Sequence, residues 1–386
     1  MDITITPSSL RGTIQAIPSK SMAHRLLILS AFAREDTVLI CPETNQDMDA
    51  TARCLTALGA GIRRTGDGYH VSPVTILPTE AVLPCGESGS TLRFLLPVVG
   101  ALGVDATFQL EGRLPQRPLS PLWEEMERMG CKLSRPTGNT VRCCGKLRPG
   151  RFTIPGNVSS QYITGLLLAA PLMDGVLQLD ITGKVESKPY IDMTRDAIAR
   201  FPERHSPGSV TVEGDWSNAA FFLGASVLGS DVRVENLNPE SLQGDRAVSR
   251  LLPLLEEKCT ICAADIPDLV PILSVVAAAK EGAVFTDIGR LRIKESDRVA
   301  STIAMVRSLG GRAEATEDTL VIHGTGLTGG CVDSFRDHRI AMSAAIASTV
   351  CTAPVTILDA EAVNKSYPTF WDTFTRLGGK YEQHLR

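Results

Sequence analysis

Aromatic side chains are scarce in this chain: three Trp, five Tyr and eleven Phe among 386 residues. Histidine is scarcer still for a chain of this length, with six. No run approaches 18 apolar residues, which excludes an ordinary membrane-spanning helix. The opening MDITITPSSLRG lacks the apolar stretch of a secretion signal. Without such a signal, ten cysteines do not read as a disulfide framework, and a cytoplasmic location is expected. Cys259-Thr260-Ile261-Cys262 has CxxC spacing but no second pair, and it alternates as a strand does. Cys143-Cys144 likewise reads as strand packing. No Walker A motif, no Ser/His/Asp arrangement and no His/Cys metal set is visible. A net charge of −4 and a pI near 5.9 argue against general binding to nucleic acid or to an anionic membrane. An anion site must therefore be a local cluster in an acidic background.

What is present is a repeat. Six times a polar cluster opens a helix of small and apolar residues: PSKSMAHRLLILSAFA, GESGSTLRFLLPVVGAL, GNVSSQYITGLLLAAPLM, EGDWSNAAFFLGASVLG, DIPDLVPILSVVAAAKEG and FRDHRIAMSAAIASTV. The equivalent positions are Ser21, Ser90, Ser159, Ser217, Asp268 and Asp337, at spacings of 69, 69, 58, 51 and 69 residues. Between them recurs an amphipathic helix ending in Leu-Gly or Met-Gly, followed by two short strands around a turn such as Gly66-Asp67-Gly68 or Gly138-Asn139. This hairpin is shortened or absent in the 58- and 51-residue intervals, after Ala197-Ile198-Ala199-Arg200 and after Leu254-Leu255-Glu256-Glu257. A length of 386 residues exceeds one core, so six units imply two domains of three.

Helices that are apolar nearly all round belong inside a domain. If they run in parallel, their starts emerge together, each offering unpaired N–H groups and the positive end of its dipole. An anionic ligand gains most at that place. The basic residues sit there too: Lys20 and Arg25 at the first helix, Arg93 at the second, Arg117 in the loop Leu114-Pro115-Gln116-Arg117-Pro118, and Arg339 in Asp337-His338-Arg339. Ser159, Ser160 and Gln161 supply two hydroxyls and an amide, suited to a phosphate ester or a polyol. Gly89, between Ser88 and Ser90, permits close approach of a ligand to the backbone. Two acids stand out in this cationic setting. Asp268 reads either as a helix cap or as an acceptor for a substrate hydroxyl proton. Glu295 lies in the mixed-charge run Arg292-Ile293-Lys294-Glu295-Ser296-Asp297-Arg298, which also fits a salt-bridged helix start.

Taken together the motifs PSKSMAHR, LPQRPL, GNVSSQYITGLL, SKPYIDMT, VEGDWSNAA, QGDR, IPDLVP, RIKESDR, DHRIAM and AVNKSYPTF, in this order from end to end, resemble those of the 5-enolpyruvylshikimate-3-phosphate synthases, of the enolpyruvyl transferase family. The resemblance implies a two-domain inside-out α/β barrel, each domain holding three βαβαββ-type units around buried parallel helices, with one unit per domain shortened. The expected domains are 13–213 and 1–12 plus 214–386, with crossings near Gly12 and Gly214 and the active site in the cleft between them. It implies transfer of the enolpyruvyl group of phosphoenolpyruvate to the 5-hydroxyl of shikimate 3-phosphate, by addition and elimination through a tetrahedral intermediate. Lys20, Ser21, Arg25, Ser159, Ser160, Gln161, Ser187, Tyr190, Asp268 and Lys294 match family positions that hold shikimate 3-phosphate. Lys20, Gly89, Arg117, Arg298, Arg339 and Lys365 match those around phosphoenolpyruvate.

By the same resemblance, Asp268 takes the hydroxyl proton, and Glu295 with Lys20 handles the methylene proton. No metal or organic cofactor, no nucleic acid and no membrane is implied, and a monomer is expected. Glyphosate is the family inhibitor, and Gly89 leaves room at the corresponding place. Arg290 and Phe94 depart from many relatives, which are also longer than this chain. Two other readings remain open: the sister enzyme acting on UDP-N-acetylglucosamine, which carries a Cys in its Arg-containing loop where Leu114-Pro115-Gln116-Arg117 has none, and a decayed, non-catalytic anion-binding relative.

Overall fold

A computed structural model describes residues 1–384. The chain divides into two compact units, Pro18–Glu213 (the first unit) and Met1–Ile17 with Gly214–Arg386 (the second unit). The return crossing falls between Glu213 and Gly214. The outward one lies between Ile17 and Pro18 rather than near Gly12, because the strand Arg11–Gln15 pairs in parallel with Asp231–Glu235 and so belongs to the second unit.

Twelve α-helices occur among the described residues. They are α1 (Lys20–Ala31), α2 (Gln46–Ala57), α3 (Gly89–Leu102), α4 (Leu122–Arg128), α5 (Ser160–Ala169), α6 (Lys188–Ala199), α7 (Trp216–Val227), α8 (Val248–Leu251), α9 (Val270–Ala279), α10 (Arg298–Ser308), α11 (His338–Ala347) and α12 (Phe370–Arg376). The six repeat helices are α1, α3 and α5 in the first unit and α7, α9 and α11 in the second. They are buried along almost their whole length, as helices apolar on all faces must be. Small residues allow this. An added Cβ at Gly165 of α5 would stand 2.3 Å from the Arg93 carbonyl oxygen of α3. Pro97 deprives that carbonyl of its intrahelical donor.

Among the described residues the strands form six sheets. Four have four strands. In each of these the strand after a repeat helix pairs in parallel on one side and antiparallel on the other, as Asp105–Leu110 does with Glu80–Gly86 and Thr140–Cys144. The remaining two are bare parallel pairs, Gly150–Pro155 with Leu177–Thr182 in the first unit and Asp231–Glu235 with Arg11–Gln15 in the second. After α6 only the turn Pro202–Arg204 precedes Ser209–Thr211, and after Leu252–Glu256 the chain passes straight into Cys259–Cys262. One outer hairpin per unit is therefore missing, and the two short spacings are those intervals. Cys259–Cys262 and Thr140–Cys144 are strands, and no disulfide joins the ten cysteines. No helix among the described residues is long and apolar enough to cross a membrane.

Candidate active site

In the first unit the starts of α1, α3 and α5 are tied together by polar side chains. Ser19 caps α1, its hydroxyl accepting from the Met22 N–H at 3.4 Å, while Ser21 lies inside the first turn. Lys20 Nζ lies 2.9 Å from Asp47 Oδ2 of α2, and both side chains are largely buried. Nothing in the sequence around Asp47 marks it, since the partner is 27 residues away.

Arg25, one turn further into α1, is 2% exposed. Its Nε donates to Thr194 Oγ1 at 2.9 Å, Nη1 to the Ser21 carbonyl at 2.5 Å, and Nη2 to Thr164 Oγ1 at 3.3 Å and the Tyr190 carbonyl at 2.9 Å. Burial lowers its pKa to about 10, which still leaves it charged at neutral pH. Four of its five N–H groups are committed to α1, α5 and α6, so Arg25 fixes three helix starts with one N–H to spare. Phe94 packs against it, ring centroid 5.1 Å from the guanidinium carbon, which gives that departure from the family pattern a cation–π role.

Ser159 caps α5, accepting from the Gln161 N–H. Gln161 is held from two sides of its amide: Arg93 Nη1 donates to Oε1 at 2.8 Å, and Nε2 donates to Ser90 Oγ at 3.0 Å. Arg93 also donates to the Pro118 carbonyl at 3.1 Å, anchoring the loop that carries Arg117. Gly89 lies beneath these groups. A Cβ there would sit 2.7 Å from Arg117 Nη1 and 2.8 Å from Arg93 Nη1, so the guanidinium groups fill the room that glycine leaves. Ser187, buried before α6, adopts left-handed backbone (φ 54°), a conformation that costs a non-glycine residue on the order of 1 kcal/mol and concentrates at functional sites.

In the second unit Asp268 does not cap its helix. Leu269 occupies that position without a side-chain bond. The Asp268 carboxylate instead meets three cations: Arg298 Nη1 at 2.5 Å, Arg339 Nη2 at 3.2 Å and Lys294 Nζ at 3.5 Å. Burial works to raise its pKa, but Arg339, Lys294 and Arg298 hold the carboxyl well below its ordinary value. Lys294 is lowered to about 8, chiefly by burial and against the pull of Asp268.

Arg298 is a hub. Only 1% exposed, it donates from Nε to Asp337 Oδ2 at 2.9 Å, from Nη1 to Asp268, and from Nη2 to Glu295 Oε2 at 2.7 Å. Burial opposes its charge, yet the carboxylates of Asp337, Glu295 and Asp268 keep the guanidinium protonated. Asp337 also caps α11 by accepting from the Arg339 N–H at 3.0 Å. Arg339 reaches the carbonyls of Ser217 at 3.5 Å and Asp268 at 3.3 Å, which ties α7, α9 and α11 together at their starts. Lys365 ends a 3₁₀ turn, and its neighbour Ser366 bonds Asn218 of α7 at 3.4 Å.

Each unit thus gathers its own share of the residues singled out in the sequence. Lys20, Ser21, Arg25, Gly89, Arg117, Ser159, Ser160, Gln161, Ser187 and Tyr190 belong to the first, and Asp268, Lys294, Glu295, Arg298, Arg339 and Lys365 to the second. The structure adds Asp47, Asp337 and Asp245. Buried Asp245 is raised to about 6 by desolvation and by nearby Asp268. Its place in QGDR marked a motif but no role. Among the described residues no group of three or more His, Cys, Asp or Glu could hold a metal ion.

The sequence profile described as EPSP synthase (3-phosphoshikimate 1-carboxyvinyltransferase) matches residues 5–374. The chain belongs to the EPSP synthase family. Relatives named 3-phosphoshikimate 1-carboxyvinyltransferase include those of Clostridium novyi, 37% identical, and Clostridium kluyveri, 34% identical. These alignments cover 98% and 99% of this chain, and 98% of each relative. The EPSP synthase of Acinetobacter baumannii shares the fold with a TM-score of 0.81 across 100% of both chains at 21% identity. The enolpyruvyl transferase NikO of Streptomyces tendae does so at 0.76 and 17% identity, over 100% of this chain and 99% of that one. The fold is the two-domain inside-out α/β fold, and the family is one of transferases in the shikimate route to aromatic compounds.

Proposed function

We propose that this chain transfers the enolpyruvyl group of phosphoenolpyruvate to the 5-hydroxyl of shikimate 3-phosphate and releases phosphate. The observation that carries this reading is Asp268: a carboxylate relieved of helix capping and kept ionised by Arg298, Arg339 and Lys294. Such a group is a weak base, and it takes the proton of a hydroxyl in direct contact with it only as attack on phosphoenolpyruvate makes that hydroxyl acidic.

The substrate hydroxyl oxygen attacks C2 of phosphoenolpyruvate and gives its proton to Asp268. Glu295, with Lys20 assisting, delivers a proton to C3, which forms a tetrahedral intermediate bearing a methyl group. A proton then returns from that methyl to Glu295 as the C–O bond to phosphate breaks, and the proton held on Asp268 passes to the departing phosphate, which yields the enol ether and inorganic phosphate. Arg117, Arg339, Arg298, Lys365 and Lys20 stabilise the charge on phosphate and carboxylate, where preorganised electrostatics contribute most. Ser21, Arg25, Ser159, Ser160, Gln161, Ser187, Tyr190 and Lys294 hold shikimate 3-phosphate. The protein works as a cytoplasmic monomer, and glyphosate competes with phosphoenolpyruvate above Gly89.

The names of the clostridial relatives support this acceptor over UDP-N-acetylglucosamine. Phosphate release is to be followed with phosphoenolpyruvate and each acceptor in turn. Release with shikimate 3-phosphate alone is expected; release only with UDP-N-acetylglucosamine, or with neither, overturns the proposal.

A further inference from the structure

We propose that His24 is a positioning residue, the origin of a one-way chain of buried hydrogen bonds that holds the Ser88–Gly89 turn under Arg117 and so sets the affinity for phosphoenolpyruvate. The proposal rests on the functional reading above for the identity of the ligand, and on geometry for the chain itself.

Four side chains from three helices, all fully buried, run in line: His24 of α1, Thr51 of α2, Thr91 of α3 and Ser88, the cap of α3. His24 Nδ1 lies 2.7 Å from Thr51 Oγ1, and Thr51 Oγ1 lies 2.7 Å from Thr91 Oγ1. The Thr91 hydroxyl donates to Ser88 Oγ at 2.7 Å, with the Asp47 carbonyl a long second acceptor at 3.5 Å, and Ser88 Oγ also accepts from the Thr91 N–H at 3.2 Å. A hydroxyl has one proton. With that of Thr91 given to Ser88, the Thr51–Thr91 bond must use the proton of Thr51. Thr51 then has none left for His24, so the ring must donate through Nδ1–H. The direction is fixed from end to end: His24 to Thr51 to Thr91 to Ser88.

The other ring nitrogen agrees. His24 Nε2 is buried with no hydrogen-bond partner, a tolerable state for a lone pair and a costly one for an N–H. Burial, only partly offset by Asp47, lowers the ring pKa to about 3, which keeps it neutral. The Phe94 ring stands perpendicular to the imidazole, ring centroids 6.2 Å apart.

The turn at the end of the chain bears on the ligand. Gly89 follows Ser88 and supports the guanidinium groups of Arg117 and Arg93, and Ser90 accepts from Gln161. A shift of a few tenths of an ångström in Ser88 therefore moves the surface on which Arg117 rests. The acids Asp268 and Glu295 lie outside the chain, so the effect falls first on phosphoenolpyruvate, through the position of Arg117.

Two measurements test this. In the wild-type protein, nitrogen-15 shifts of the His24 ring are expected to show Nδ1 protonated and no titration between pH 5 and 8; an Nε2–H ring, or one that titrates in this range, overturns the chain. For affinity, Thr51→Val removes the middle hydroxyl at nearly constant volume, and Thr51→Ser restores it. Thr51→Val is expected to raise KM for phosphoenolpyruvate about five- to tenfold, more than it changes kcat or KM for shikimate 3-phosphate, and Thr51→Ser to return KM to wild type. An unchanged KM, or equal losses in both variants, overturns the positioning role. A wild-type protein without turnover is a failure of the functional reading alone, and the nitrogen shifts still decide the chain.

Discussion

Arg298 Nε and Asp337 Oδ2, both buried, lie 2.9 Å apart, and this pair fixes the position of both candidate acids. Asp337 is itself fixed by capping α11 and by accepting from Ser296 Oγ at 2.9 Å. From that anchor the planar fork of Arg298 reaches Asp268 on one nitrogen and Glu295 on the other.

Arg298→Lys keeps the charge and loses the fork. Asp268 and Glu295 then lose their common spacer, and a misplacement of about 1 Å costs roughly a hundredfold in rate. The variant is expected to fold and to bind shikimate 3-phosphate while kcat falls by about that factor. Steady-state kinetics with a binding titration check this; a kcat within threefold of wild type contradicts it.

Gly89→Ala places a methyl 2.7 Å from Arg117 Nη1. Because the obstructing atoms end long side chains, the backbone stays and the guanidinium moves. The expected result is a KM for phosphoenolpyruvate raised about tenfold and little change in KM for shikimate 3-phosphate. Initial rates with each substrate varied in turn decide it.

Lys294 loses its proton above a pH of about 8. In its charged form it stands 3.5 Å from Asp268 and adds to the field that holds an anionic substrate. The pH profile of kcat/KM for shikimate 3-phosphate, which reports the free enzyme, is expected to fall above about pH 8. Lys294→Arg stays charged and is expected to move that limb upward.

Asp245 has a folded pKa raised from 3.8 to about 6. The folded state then binds more protons than the unfolded one between these values, so stability falls as pH rises through the window and is level above it. The full cost is up to about 3 kcal/mol. Asp245→Asn is expected to gain stability over wild type at pH 7.5 and to gain little at pH 4. Thermal unfolding at the two pH values measures the difference.

The architecture was legible because the repeat is written twice, once in spacing and once in composition. Small apolar helices after polar clusters had to be internal, and the 58- and 51-residue intervals were too short for an outer hairpin. The crossing at Ile17–Pro18 was not legible from Arg11–Gln15, since its parallel partner lies more than two hundred residues away. Individual site residues were visible as charges at helix starts. Their partners were hidden for the same reason of distance: Asp47 from Lys20, Asp337 from Arg298, Thr194 from Arg25. Asp268 showed the limit of local reading, where a capping signal stood for a carboxylate whose bonds all go elsewhere.

Addition followed by elimination on shikimate 3-phosphate leaves a label that one experiment in D2O reads directly. The protein is incubated with phosphoenolpyruvate and shikimate 3-phosphate, and the products are read by proton and phosphorus NMR. If C3 becomes a methyl group and then returns to a methylene, deuterium enters the vinyl group of the enol ether while an equivalent of phosphate appears. That result is expected. Pyruvate with phosphate but no ether, or an ether free of deuterium, contradicts the account.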